Sequence, residues 1–158
     1  MSTINGLPAH VLLVHIIVVL VPLTALLAIV SALWPAARRR LIWLLVALSV
    51  FCVVMTPITT DAGEWLEHKI GRSPAIRNHA HLGDTMIYFA LGLLVAVLLL
   101  LLVHLRETRN RPLGRALVGV VAVIAIAAGV AATVQVYRIG DSGARATWGD
   151  QVATTSAG

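Results

Sequence analysis

His10-Val-Leu-Leu-Val-His-Ile-Ile-Val-Val-Leu-Val-Pro-Leu-Thr-Ala-Leu-Leu-Ala-Ile-Val-Ser-Ala-Leu-Trp34 runs for 25 residues without one Asp, Glu, Lys or Arg. A helix needs roughly 20 predominantly apolar residues to cross the hydrocarbon of a bilayer, so the stretch reads as a transmembrane helix. Three more blocks repeat it: Leu41 to Thr60, Leu82 to Leu105 and Ala116 to Tyr137. At 59% hydrophobic and 12% charged, with a mean hydropathy of +0.92, the chain is more apolar than a soluble domain. The short connections make successive helices antiparallel neighbours. The expected fold is an all-α integral membrane protein, a four-transmembrane-helix up-down bundle, over residues 1–140, followed by a polar extracytoplasmic tail, 141–158, with disorder from about Ala153.

Charge sets the expected orientation. Residues 35–40 and 106–115 hold seven Arg against one Glu, whereas the N-terminus, residues 61–84 and the tail hold five basic and six acidic residues. By the positive-inside rule the Arg loops are cytoplasmic and both termini outside, in a multi-pass membrane protein. Because Met1 to Ala9 carries no Lys or Arg, the first block is expected to stay as an anchor rather than be cleaved. The net charge of +5 sits in the two short Arg loops, so it reports topology and attraction to lipid headgroups, not nucleic-acid binding. The single Cys52 has no partner for a disulfide or a Cys-based metal motif and reads as a small packing residue. No phosphate loop, dinucleotide fingerprint or nucleophile elbow is present. In the fourth span Ala122, Ala125, Gly129, Ala132 and Thr133 form a small-residue stripe suited to close helix packing.

The outer connection, residues 61–84, concentrates the chemistry. Asp61 and Glu64 resemble a capping box and Gly71 a helix end, predicting a short interfacial helix from Ala62 to Ile70. Its apolar side carries Trp65 and Leu66. Its polar side carries Glu64, Glu67 and His68, and Glu64 with His68, one turn apart, is a candidate metal pair as well as an ordinary solvated face. His10 lies at the mouth of the first span; His15 lies about 7.5 Å deeper and about 140° around the same helix. An ionisable residue at that depth is a functional candidate because hydrocarbon offers it no water. Asn78-His-Ala-His-Leu-Gly-Asp84 brings His79 and His81 to a similar depth, with Asp84 placed to orient His81. Pro22 is expected to bend the first span near this site, and Gln135 and Tyr137 to complete a polar pocket. His104 is expected at the cytoplasmic interface, without a further role.

Three segments, Gly6-Leu-Pro-Ala-His-Val-Leu-Leu-Val-His15, Gly63-Glu-Trp-Leu-Glu-His68 with His79-Ala-His-Leu-Gly83, and Val136-Tyr-Arg-Ile-Gly-Asp-Ser-Gly-Ala-Arg-Ala-Thr-Trp148, resemble the bacterial four-span membrane proteins of the domain-of-unknown-function family twenty-two thirty-one (DUF2231). The resemblance covers nearly the whole chain. It implies the four-span fold, places the family's first-span pair on His10 and His15, and places its loop histidines on His68 and His79. Relatives fused to Rieske-type iron–sulfur domains imply membrane electron transfer, through a haem in one version. The chain departs at His81, where relatives often carry Glu, and at Asp141, where they often carry His, so the resemblance lends those positions no support as ligands.

Two functions from different classes follow. In the first, the protein is an electron carrier or subunit rather than a complete enzyme: haem b is held between the first span, by His10 or His15, and the third, by His79 or His81. It would exchange electrons with a separate redox protein or a respiratory-type membrane complex. A copper or zinc ion on His79, His81 and Glu64 is a variant. In the second, a cofactor-free structural or accessory subunit packs into a larger membrane complex. A transporter is disfavoured, since no charged residue lies mid-span.

Overall fold

The computed structural model describes residues 3–4, 7–71 and 73–155. Two short strands, β1 (Thr3–Ile4) and β2 (Leu7–Pro8), pair antiparallel. Five helices follow: α1 (Ala9–Leu33), α2 (Pro35–Ile70), α3 (Pro74–Asp84), α4 (Met86–Thr108) and α5 (Arg115–Thr155). Four hydrophobic segments cross, with α3 and α4 together making the third. Helix α1 packs between α2 and α5, and α4 closes the ring against the same two helices. This is the expected four-helix bundle, and its helices present lipid with backbone groups already paired.

Proline places the breaks. Pro35 opens α2 directly after Trp34, whose extended backbone (φ −124°, ψ 104°) is what a residue before proline prefers. Pro74 opens α3 after Ser73, whose hydroxyl accepts the Ile76 N–H at 3.2 Å. Between α3 and α4 the chain turns at Thr85, and buried Gln135 of α5 holds the break by donating to the Leu82 carbonyl at 3.0 Å and Thr85 Oγ1 at 2.8 Å. Gln135 therefore braces the site from behind.

One expectation is corrected here. Ala62 to Ile70 is helical, but it is the last part of α2 and not a separate interfacial helix. Asp61 sits inside the helix, where it lacks the extended backbone that a capping residue uses. The separate short helix is α3, started by Ser73 and Pro74. Helix α5 runs on through residue 140 to Thr155. Of the expected disordered end, residues 156–158 lie outside the described residues.

The interior is filled by small and aliphatic side chains: Val21, Ala25 and Ala28 of α1, Ile42 and Leu45 of α2, Leu93 and Leu100 of α4, Ala125 and Ala132 of α5. Lipid gives helices no hydrophobic reason to associate, so close backbone approach has to supply the contact energy. The α5 stripe does this, for a Cβ on Gly129 would stand 3.2 Å from Ile29 Cδ1 and 3.4 Å from Ala25 Cβ. Helices α2 and α5, of 36 and 41 residues, are about 54 and 61 Å long at 1.5 Å per residue. The hydrocarbon is about 30 Å thick, so both project beyond it at the end of the bundle that also holds the start of α1 and all of α3. We call this the terminus end and the opposite one the Arg-loop end.

Candidate functional site

The projecting parts of α2 and α5, with α3 and the first turns of α1, enclose a cavity of about 480 Å³. Its walls are largely aliphatic, from Val11, Val14 and Ile17 of α1, Leu66 of α2 and Ile139 of α5; two imidazoles and the carboxyl-bearing Glu64, Glu67 and Asp84 also line it.

The imidazoles belong to His10 and His79, and they are held in the same way. His10 Nδ1–H donates to the Thr59 carbonyl of α2 at 2.9 Å. His79 Nδ1–H is directed at the Ile139 carbonyl of α5 at 3.1 Å and at Ser142 Oγ at 3.0 Å. A carbonyl can only accept, so each Nδ1 carries a proton, and Nε2 is the ring nitrogen that holds a lone pair in the neutral tautomer. Four residues after each acceptor carbonyl stands a glycine against which the ring lies. A Cβ on Gly63 would be 2.9 Å from His10 Cε1, and one on Gly143 would be 3.0 Å from His79 Cε1. The two ring centres are 6.3 Å apart with planes at 80°.

The other expected site residues are placed differently. His15 is exposed, and its Nδ1 bonds back to the Val11 carbonyl of its own helix. The offset of about 140° between positions five apart explains this: with His10 turned inward, His15 turns away, so it is not the floor of the cavity. His81 is exposed, two residues from His79 and hence near the opposite side of α3. His68 is exposed and does not line the cavity, although Glu64 does. Tyr137 is 74% exposed on the outer face of α5. Among the described residues no three His, Cys, Asp or Glu side chains converge to hold a metal ion, so Glu64, His79 and His81 do not form the chelate considered for copper or zinc.

Reading the sequence for donor side chains passed over Gly63, Gly143, Thr59, Ile139 and Ser142. The available signal was a glycine inside a helical pattern, which marks a close approach as often as a break.

Fold and cavity together define a four-span integral membrane protein whose terminus end carries a paired-histidine pocket. The chain belongs to the family described as predicted membrane protein (DUF2231), which matches it over residues 6–156. No curated protein and no solved structure matches the chain.

Proposed function

We propose that the cavity would hold haem b, with His10 and His79 as the residues that would ligate it, and that the protein is a membrane electron-transfer component. The observation that carries this reading is a pair of imidazoles lining one cavity, each with Nδ1 bonded to a backbone carbonyl, which leaves Nε2 as the atom that could ligate. The ring centres stand 6.3 Å apart, close enough that both imidazoles could reach one metal centre through bonds of about 2.0–2.1 Å. A porphyrin brings its own equatorial nitrogens, so two protein donors suffice where a bare copper or zinc ion asks for three or four. The cavity volume of about 480 Å³ lies within the usual range for cofactor pockets, about 300–1,000 Å³.

When bound, the haem supplies one-electron transfer. The chain's own residues supply the setting. The Thr59 and Ile139 carbonyls fix the tautomer and raise the basicity of each Nε2. The aliphatic wall excludes water. Glu64, Glu67 and Asp84 keep a polar rim on the side from which a partner, a separate redox protein or a larger membrane complex, would approach. The Arg excess at the other end supports a rim that faces away from the cytoplasm, by the positive-inside rule.

The cofactor-free reading rests on one observation of its own: both imidazoles already tie helices together, α1 to α2 and α3 to α5. Titrating haem into the purified apoprotein separates the two. The haem reading predicts saturation at one equivalent with a low-spin spectrum, lost in His79→Ala. Absence of a saturable spectral change leaves the imidazoles as interhelical ties in an accessory subunit.

A further inference from the structure

At the Arg-loop end a second polar cluster lies outside everything described so far. Arg38, one turn into α2, is 1% exposed. Its Nη1 donates to the Ser31 carbonyl in the last turn of α1 at 3.2 Å, and its Nη2 donates to Glu107 Oε1 of α4 at 2.6 Å. The charges of Arg38 and Glu107 cancel. What they leave over is unusual: Arg38 Nε, Glu107 Oε2, His104 Nδ1 and Ser31 Oγ are buried without a hydrogen-bond partner, and among the described residues no other side-chain atoms are in that state. Buried polar atoms are nearly always paired, so orphans that also border a cavity, here His104 Nδ1 and Glu107 Oε2, point to a guest.

The cavity, of about 430 Å³, opens beside these two of the four atoms and is lined by His104 and Glu107 together with Arg39 and Asn110 among others. A single water takes about 30 Å³ of liquid volume, so the space suits something much larger. Its chemistry is two-signed. Glu107 Oε2 can only accept, and the C-terminal end of α4 is the negative end of a helix dipole; both favour a donor with positive charge. Arg39, exposed and without a described ion-pair partner, favours an anion. Its place four residues after Pro35 sets it at the end of the spans, at the depth of lipid phosphates.

From this we infer that the Arg-loop cavity binds a phosphoethanolamine-type headgroup, its primary ammonium donating to Glu107 Oε2 beside His104 and its phosphate on Arg39. Basic pockets between helices at this depth commonly take lipid headgroups. Here the orphan carboxylate oxygen selects one that carries N–H donors.

The test is native mass spectrometry of the full chain released from detergent and titrated with phosphatidylethanolamine, phosphatidylcholine or phosphatidylglycerol, with water-soluble glycerophosphoethanolamine in a parallel series. Phosphatidylethanolamine should fill one saturable site, and phosphatidylcholine, which has no N–H, should not. Arg39→Ala should weaken that binding by about fivefold, equivalent to the ~1 kcal/mol that one arginine contributes at a membrane surface. Arg39 is exposed, so this variant leaves the fold intact. His104→Gln should weaken it too, and serves as a second probe inside the cavity. Saturable binding of glycerophosphoethanolamine alone would support the headgroup chemistry with a soluble source; binding of the lipid only would support it with the bilayer as source. Equal occupancy by phosphatidylcholine or phosphatidylglycerol, or full phosphatidylethanolamine binding in both variants, would overturn the inference.

Discussion

Replacing Gly63 by alanine places a methyl carbon 2.9 Å from Cε1 and 3.0 Å from Nδ1 of His10. Relaxed carbon–carbon contacts stand at about 3.5–4.0 Å, so the ring has to retreat by most of an ångström. Retreat breaks its 2.9 Å bond to the Thr59 carbonyl. Overpacking of this kind costs about 1–3 kcal/mol, and the lost hydrogen bond about 0.5–1.5 kcal/mol. Alanine returns up to about 1 kcal/mol through better helix propensity. The net expectation is a loss of about 0.5–4.5 kcal/mol. Gly119→Ala is the internal control, because Gly119 also lies in a helix but has no neighbour within 4 Å of a would-be Cβ; it should be neutral or stabilising. Thermal unfolding in one detergent, followed by tryptophan fluorescence, compares the two. A Gly63→Ala protein as stable as Gly119→Ala, with unaltered haem binding, would refute the seating of His10 on that glycine.

Three further outcomes follow from the same geometry. Gln135→Leu strips two hydrogen bonds from the α3–α4 break and should cost about 1–3 kcal/mol, seen as a lower unfolding temperature; an unchanged temperature would remove Gln135 from its bracing role. Arg38→Met or Glu107→Gln alone leaves the other partner of a 2.6 Å ion pair unmatched, at about 3–5 kcal/mol for a buried pair, with the half-exposed Glu107 side favouring the lower figure; the double variant should recover part of that loss in a double-mutant cycle. His15→Ala, at an exposed position bonded only within its own helix, should change stability by no more than about 0.5 kcal/mol and leave haem titration intact. Loss of haem binding in that variant would return His15 to the site.

The spans were legible because bilayer thickness imposes a length on apolar runs, and the small-residue stripe because close helix packing leaves a compositional trace at helical spacing. The direction of each histidine was not. Helix α1 is apolar on every side, so nothing in its pattern says which face is inward, and His10 and His15 looked equally placed until His10 was seen on Thr59 and Gly63. Gly63 and Gly143 went unread because their contribution is the side chain they lack. Arg38 was counted with Arg39 and Arg40 as loop charge. Pro35 starts α2 three residues earlier, however, and the first turn carries Arg38 inward to Glu107. His104 was read as interfacial for a related reason: its depth could be inferred from chain position, but its burial depends on a neighbouring helix.

The central claim is that His10 and His79 jointly ligate one haem. The most direct measurement is the dithionite-reduced minus oxidised absorption spectrum of the protein purified in mild detergent from haem-replete cells, recorded beside His10→Ala, His79→Ala and His15→Ala. The account predicts sharp reduced visible bands that are lost in the first two variants and kept in the third. A featureless wild-type spectrum, or bands that survive removal of both His10 and His79, would contradict it.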